Sequence, residues 1–323
     1  MPSPAALASS LQQMDALSAL LADFAAARGN DPALAGAEIE ALIRLVPGKR
    51  AIFTGSHDGR PAIFRFHLHA PERSARRDWA ELTRAAAHMG QGALRVCTPY
   101  HLALPLGLVV TERAPGLPLM QKIWRTPRAE RPALLPAAAL WLKAYTAPTA
   151  DLAPIRPEGW LRRAERGLAR LQLSALHPLK SAILAELHRL AALHGAGQWR
   201  TAICHGDFHP NNLLAEGARL TGIDTGGSAR LPVCKDVARF LAHMGRRRLH
   251  LSGATRYGVD RAGLAIFADT LELAPCERRI WLPFMIGVEA LVRVETAALP
   301  PGRIRGSEAF CTELLEDLRA LGG

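Results

Sequence analysis

Cysteine is sparse in this 323-residue chain, and what there is forms no pattern. Cys97, Cys204, Cys234, Cys276 and Cys311 are odd in number, scattered, and include no Cys-x-x-Cys pair. That argues against a disulfide scaffold or a structural zinc site, and it suits a reducing compartment. Long apolar runs are also missing. Leu102–Val110, for example, is broken by Pro105 and is far short of the roughly 20 residues a membrane-spanning helix needs. Asp15 and Asp23 precede the first arginine, Arg28, so the start fits neither a basic secretory leader nor an acid-poor transit peptide. The expected location is cytoplasmic. No repeat or low-complexity tract is present, and no zinc-finger spacing, aromatic RNA-binding signature or basic zipper, so nucleic acid is not an expected partner.

Acidic residues fall short of basic ones, 29 against 40, for a net charge of +11. Nearly all the bases are Arg, spread along an Ala-rich chain, and only Arg246, Arg247 and Arg248 form a tight run. The apolar share of 49% and charged share of 21% are ordinary for a globular protein with a large core.

Apolar spacing predicts a first helix over residues 10–28, capped at Ser9 or Ser10, and a second over Ala37–Leu45. A hairpin follows, with strands Ala51–Thr54 and Ala62–Leu68 around the turn Ser56–Gly59. Residues 73–89 read as helix, then Leu94–Val96 and Leu106–Glu112 as strands, and Ala114-Pro115-Gly116 as a break. The remainder reads as helical over 132–146, 158–173, 178–194, 236–247, 260–273, 277–298 and 307–321. One β-rich passage interrupts it at Thr201–Asp224. The expectation is an α+β chain in three parts. These are an N-terminal helical extension (1–36), a small β-rich lobe (37–113) and a larger, mainly helical lobe (114–323).

The β-rich passage carries the chemistry. A strand ends at His205, the loop Gly206-Asp207-Phe208-His209-Pro210-Asn211-Asn212 follows, and a hairpin through Leu213–Leu214 and Leu220–Ile223 ends at Asp224. If that hairpin closes, Asp207, Asn212 and Asp224 converge. Their hard oxygens suit Mg²⁺ rather than zinc, and a carboxylate left off the metal can accept a hydroxyl proton.

Asp-x-x-x-x-Asn, followed by a strand and Asp-x-Gly, resembles the catalytic arrangement of protein-kinase-like phosphotransferases. The His205-Gly206-Asp207 start resembles the aminoglycoside phosphotransferase and choline kinase-like family, over roughly residues 37–245. The resemblance implies a bilobal kinase-like fold and transfer of the ATP γ-phosphate to a hydroxyl of a small molecule, with Mg²⁺ as cofactor. It implies that Asp207 is the catalytic base, that Asn212 and Asp224 hold the metal, and that His205 and Asp236 support the loop. His209 would touch substrate or pack the loop. For the nucleotide it implies Arg65 on a strand where such kinases place a lysine. Its acid partner would be Asp78 in preference to Glu81. It also implies Lys49 or Arg50 in the turn after Pro47-Gly48, and main chain at Glu112, Arg113 and Ala114. The sequence departs from the pattern in having Arg65 for Lys and no Gly-x-Gly-x-x-Gly loop.

Three alternatives stand beside this reading. One is a kinase-like module that binds nucleotide or a partner without catalysis. Another is a kinase for a lipopolysaccharide-type sugar, for which the basic charge leaves peripheral membrane contact open. The third is a metal-dependent hydrolase built on His205, Asp207 and His209. The helical lobe lacks the acidic excess a polycationic aminoglycoside would require, which favours an ordinary metabolite or sugar alcohol. Trp124, Trp141, Trp160, Trp199 and Trp281 serve as core or pocket lining.

Overall fold

The structure is a computed structural model describing residues 4–321 apart from 294 and 297. Residues 1–3 of the expected N-terminal extension, positions 294 and 297 of the expected 277–298 helix, and residues 322–323 of the expected C-terminal part lie outside the described residues. The chain divides into two compact units, Met1–Pro115 and Gly116–Gly323. No described helix is long and apolar enough to cross a membrane.

The first unit is organised by one strand with two unlike faces. In β3 (Arg60–His67), Ala62, Phe64 and Phe66 alternate with Ile63, Arg65 and His67, and only the former are fully buried. Helix α1 (Pro4–Asn30) lays Phe24 edge-on against Phe64 and Phe66 at centroid distances of 5.7 and 6.0 Å. Phe53 of β2 (Arg50–His57) meets Phe66 at 5.8 Å. These rings, with Leu34, Leu108 and Val110, form the core of the unit. The antiparallel sheet runs in the order β1 (Ala37–Val46), β2, β3, β6 (Leu108–Glu112), β5 (Pro99–Ala103).

Helix α2 (Pro71–Met89) follows β3, and its buried stripe is Ala75, Asp78, Leu82, Ala85 and Met89, at spacings of three and four. A carboxylate therefore sits in an apolar stripe, and the strand's second face supplies its partners. Leu94–Val96 (β4) is a short strand, as expected.

Two expectations need correction. Ala37–Leu45 is not a helix. It is most of β1, an edge strand paired with β2 along its length with two register shifts. Its residues are good helix formers, but the neighbouring hairpin offers a full ladder of backbone partners, and pairing overrides propensity. The first helix starts at Pro4, so Ser9 and Ser10 lie within its range rather than at its start.

The second unit begins with β7 (Leu117–Pro118) and α3 (Leu119–Arg125). It continues through α4 (Leu135–Thr146), β8 (Asp151–Pro154), α5 (Glu158–Leu168), α6 (His177–His194) and β9 (Gln198–Cys204). The hairpin β10 (Leu213–Glu216) and β11 (Arg219–Gly222) pairs Leu213 with Gly222, and β10 also pairs with β7. The strand β12 (Ala229–Pro232) pairs with β9, which pairs in turn with β8. The strands β13 (Thr255–Arg256) and β14 (Val259–Asp260) form a small hairpin.

Helices α7 (Val233–Gly245), α8 (Arg261–Thr270), α9 (Leu282–Val292) and α10 (Pro301–Arg319) complete the unit. Every α7 residue is buried, as are the α9 residues Leu282–Leu291, so these two form its centre. Trp141, Trp199 and Trp281 are core residues, whereas Trp124 is 52% exposed.

Candidate active site

The loop from His205 to Asn212 is held by a network that starts at one imidazole. His205 is fully buried beside Trp141, Tyr145 and Phe208. Its Nε2–H donates to the Ile223 carbonyl at 2.9 Å, which leaves Nδ1 to accept from the Asp207 amide at 3.4 Å. One ring thus ties the backbone of Asp207 to the residue preceding Asp224. Between them Gly206 has φ +82°, and a Cβ there would lie 2.4 Å from the Gly227 carbonyl oxygen. A side chain at position 206 would break the loop, which explains the glycine in His-Gly-Asp.

The far end of the loop is fixed in the same way. The Asn212 side-chain amide donates to the Asp207 carbonyl at 3.0 Å, and the Asn212 carbonyl accepts from the Ile223 amide at 3.0 Å. The side-chain NH₂ is therefore turned inward, and the side-chain oxygen is left as the outward donor atom of this buried residue. Asp224 follows β11 in the left-handed region, φ 63° and ψ 43°, a costly conformation for a residue with a Cβ. Its neighbour Gly222 makes room for Trp141, whose ring atoms would lie 2.0 Å from a Cβ at that position.

Helix α7 follows the loop residue by residue. Both carboxylate oxygens of Asp236 accept from the Gly206 amide at 3.2 Å. One turn on, Arg239 Nε donates to Asp207 Oδ1 at 2.9 Å. A further turn on, His243 stacks on His209 with centroids 4.6 Å apart. A second guanidinium, Arg293 just beyond α9, donates to the same Asp207 oxygen at 2.9 Å, and His209 Nε2 lies 3.5 Å from the other. Burial pushes the Asp207 carboxyl up. The His209 hydrogen bond and the charges of Arg239 and Arg293 outweigh it and hold the group well below the usual carboxylate range. Asp207 is an anion at any physiological pH, yet its side chain stays 40% exposed.

Arg239, Arg293 and Glu289 were not among the residues singled out from the sequence. Glu289 Oε2 lies 3.9 Å from Arg239 Nε and 3.8 Å from Arg293 Nε. Two signals could have found this group. Glu289 is the lone acid in the apolar segment Trp281–Leu291, and positions 236, 239 and 243 recur at helical spacing.

In the first unit, Arg65 and Asp78 pair at 2.7 Å, and His67, two residues further along the same strand face, adds 3.1 Å to the same oxygen. Burial raises the Asp78 carboxyl, but the Arg65 charge and the His67 and Arg65 hydrogen bonds win, and the group is held far below its ordinary value. Glu81, the other candidate, pairs with Arg84.

Lys49 is exposed in the β1–β2 turn, where its amide donates to Val46 and its carbonyl accepts from Leu68. The Glu112 carboxylate is taken up by Arg95 and Thr98. The amides of Glu112 and Arg113 donate to the carbonyls of Thr98 and Pro61, and the Ala114 backbone hydrogen-bonds the Cys97 thiol.

The donor chemistry fits Mg²⁺. Asn212 and Asp224 present hard oxygens from two segments joined by the Ile223–Asn212 bond. Two protein donors fall short of six, and phosphate oxygens and water normally supply the rest of a Mg²⁺ shell. The donors for a hydrolytic metal do not assemble. His205 is spent on Ile223, and among the described residues no three His, Cys, Asp or Glu side chains converge.

An α+β chain with this loop, hairpin and following helix belongs to the kinase-like phosphotransferases. Its sequence matches the model of the APH phosphotransferase enzyme family over residues 48–267, more than half its length, and the chain belongs to that family. Among solved structures it is similar to a choline/ethanolamine kinase family protein from Mesorhizobium loti. That match has a TM-score of 0.56 at 14% identity and covers 93% of this chain and 99% of that one. It is also similar to aminoglycoside phosphotransferase APH(4)-Ia in a ternary complex with ADP and hygromycin B. There the TM-score is 0.55 at 16% identity, covering 88% and 96%. A third similar structure is amicoumacin kinase hAmiN with AMP-PNP and Ca²⁺, at 0.53 and 12% identity, covering 87% and 88%. No curated protein matches the sequence.

Proposed function

We propose that the protein transfers the γ-phosphate of ATP to a hydroxyl group of a small molecule. The observation that carries the reading is the single hydrogen-bonded unit that joins the Asp207 loop to the Asp224 turn through His205 and Asn212. In this reading the acceptor hydroxyl binds at the exposed Asp207 carboxylate, which orients its lone pair toward the phosphorus. The hydroxyl oxygen forms a bond to the γ-phosphorus as the bond to the bridging oxygen breaks, ADP leaves, and the hydroxyl proton passes to Asp207. A carboxylate held this acidic is a weak base. It would take the proton late, as suits a loose phosphoryl-transfer transition state in which positioning dominates.

Bound Mg²⁺, held by Asn212 and Asp224, would neutralise charge on the phosphates. Arg65, aimed by Asp78, and Lys49, in the turn before β2, would bind nucleotide phosphate. Main chain at Glu112, Arg113 and Ala114 would meet the base. His205 and Asp236 would support the loop. His209, stacked on His243 beside Asp207, stands where it could also face the acceptor.

Calorimetric titration of ATP with and without Mg²⁺ tests the nucleotide part. Wild type should bind in a metal-dependent manner, and Asp224→Ala should lose most of that dependence. Metal-independent binding equal in the two proteins would contradict the assignment of Asp224 and favour a non-catalytic module.

A further inference from the structure

Beyond Arg239 and Arg293, which hold Asp207, further cations gather near them that the phosphotransfer scheme does not use. Continuing the α7 line past Arg239 and His243 leads to Arg247, which donates to the His243 carbonyl at 2.7 Å. Arg303, in the first turn of α10, lies close enough for its charge to act on Arg247, as do Arg246 and Arg239. The carboxylates that could offset them are spent elsewhere. Glu289 lies between Arg239 and Arg293, and Glu295 is bound to Lys180 and Arg246. Six cationic side chains (Lys180, Arg239, Arg246, Arg247, Arg293, Arg303) thus surround three carboxylates, Asp207, Glu289 and Glu295. Among the described residues none of those carboxylates pairs with Arg247 or Arg303.

The cluster is not a solvated surface. Arg247 and Arg303 are half-buried. Burial and then the neighbouring arginines lower the Arg247 guanidinium to about 10, and the Arg303 guanidinium is lowered by burial and Arg246. Buried polar atoms also stand unmatched around it. Among the described residues His243 Nε2, Arg293 Nε and Arg303 Nε have no hydrogen-bond partner. Half-buried like charges with open donors gain from an anion that completes them, and guanidinium groups match the geometry of phosphate and carboxylate. Arg293 and Asp207 retain 39% and 40% side-chain exposure, so solvent reaches the start of the cluster.

We propose that the acceptor carries an anionic oxyacid group, a phosphate ester or a carboxylate, beside the hydroxyl that is phosphorylated, and that Arg247, Arg303 and His243 hold that group. The proposal rests on the phosphotransferase reading of Asp207. It places the substrate among sugar phosphates and hydroxy acids, whereas the cation-selective members of such a fold would need acids here.

The test uses the whole protein with its nucleotide site filled by a non-hydrolysable ATP analogue and Mg²⁺, so that a further anion reports the acceptor side. Inorganic phosphate, and acetate in a parallel arm, are titrated calorimetrically. Phosphate or acetate should bind wild type, and the better of the two names the oxyacid. Affinity should fall roughly tenfold in Arg247→Ala and in Arg303→Gln, as expected for loss of one charge-assisted contact, with part of it kept in Arg247→Lys. Thermal midpoints of each variant establish that it is folded, and Arg247→Lys carries the comparison if Arg247→Ala is not. No binding of either anion to wild type up to tens of millimolar, or equal binding in all variants, would overturn the proposal. So would phosphorylation of cationic hygromycin B in preference to a panel of sugar phosphates and hydroxy acids. Failure of the analogue itself to bind would count against the kinase reading instead, and the anion response of the variants would then be read without it.

Discussion

A single carboxylate shows how much depends on individual side chains. Asp207 is aligned by two guanidinium groups on one oxygen and an imidazole at the other. Asp207→Asn keeps the shape and removes the charge. It should lower turnover by about two to four orders of magnitude while leaving Mg·ATP affinity within a few-fold, measured by ADP release and calorimetry. Arg239→Gln removes one of the charges that depress the carboxyl. The Asp207 pKa should then rise, and the acid limb of kcat/KM against pH should move to higher pH than in wild type.

Asp78 makes the matching prediction for stability. Its folded pKa lies below its unfolded value near 4, so the Arg65 and His67 contacts contribute fully above that value and are lost as pH falls toward the folded one. Asp78→Asn should therefore cost about 3 kcal/mol near neutral pH. Urea midpoints should show that cost shrinking as pH falls below about 4.

At the scale of elements, legibility followed locality. The hairpin β10–β11, the helices α2 and α7 and the loop between His205 and Asn212 are set by nearby residues, and their patterns were readable. Asp78 could be preferred to Glu81 on pattern, and the reason emerges only when α2 turns a stripe inward that contains the one and not the other. What could not be read depends on distant partners. β1 looked helical because its strand character comes from β2. Pro99–Ala103 and Ala229–Pro232 were missed because each is a strand only against β6 or β9. Arg293 reaches Asp207 across 86 positions of sequence, and no spacing rule spans that.

The segment carrying Arg293 has its own anchor. Fully buried Lys180 of α6 donates to Glu295 at 2.5 Å and to the Ala290 carbonyl at 2.9 Å. Lys180→Met should destabilise the protein by about 3–5 kcal/mol in denaturant unfolding, because Glu295 then keeps only Arg246.

Over the whole molecule, the scarce cysteine, the broken apolar runs and the ordinary composition narrowed the class, and the loop motif narrowed it further to a family. The family match spans residues 48–267, whereas likeness to solved structures at 12–16% identity extends to the fold and no further. The bases behind the net charge of +11 are spread along the chain in sequence. Part of that charge is concentrated beside Asp207, where only folding could bring α7, α9 and α10 together.

The central claim is phosphoryl transfer directed by Asp207. It is tested most directly by incubating γ-labelled ATP and Mg²⁺ with fractionated small metabolites and either wild type or Asp207→Asn. Label should pass to a small hydroxylated compound with wild type and fail to pass with the variant, although both bind nucleotide. Transfer at the wild-type rate by Asp207→Asn would contradict the account.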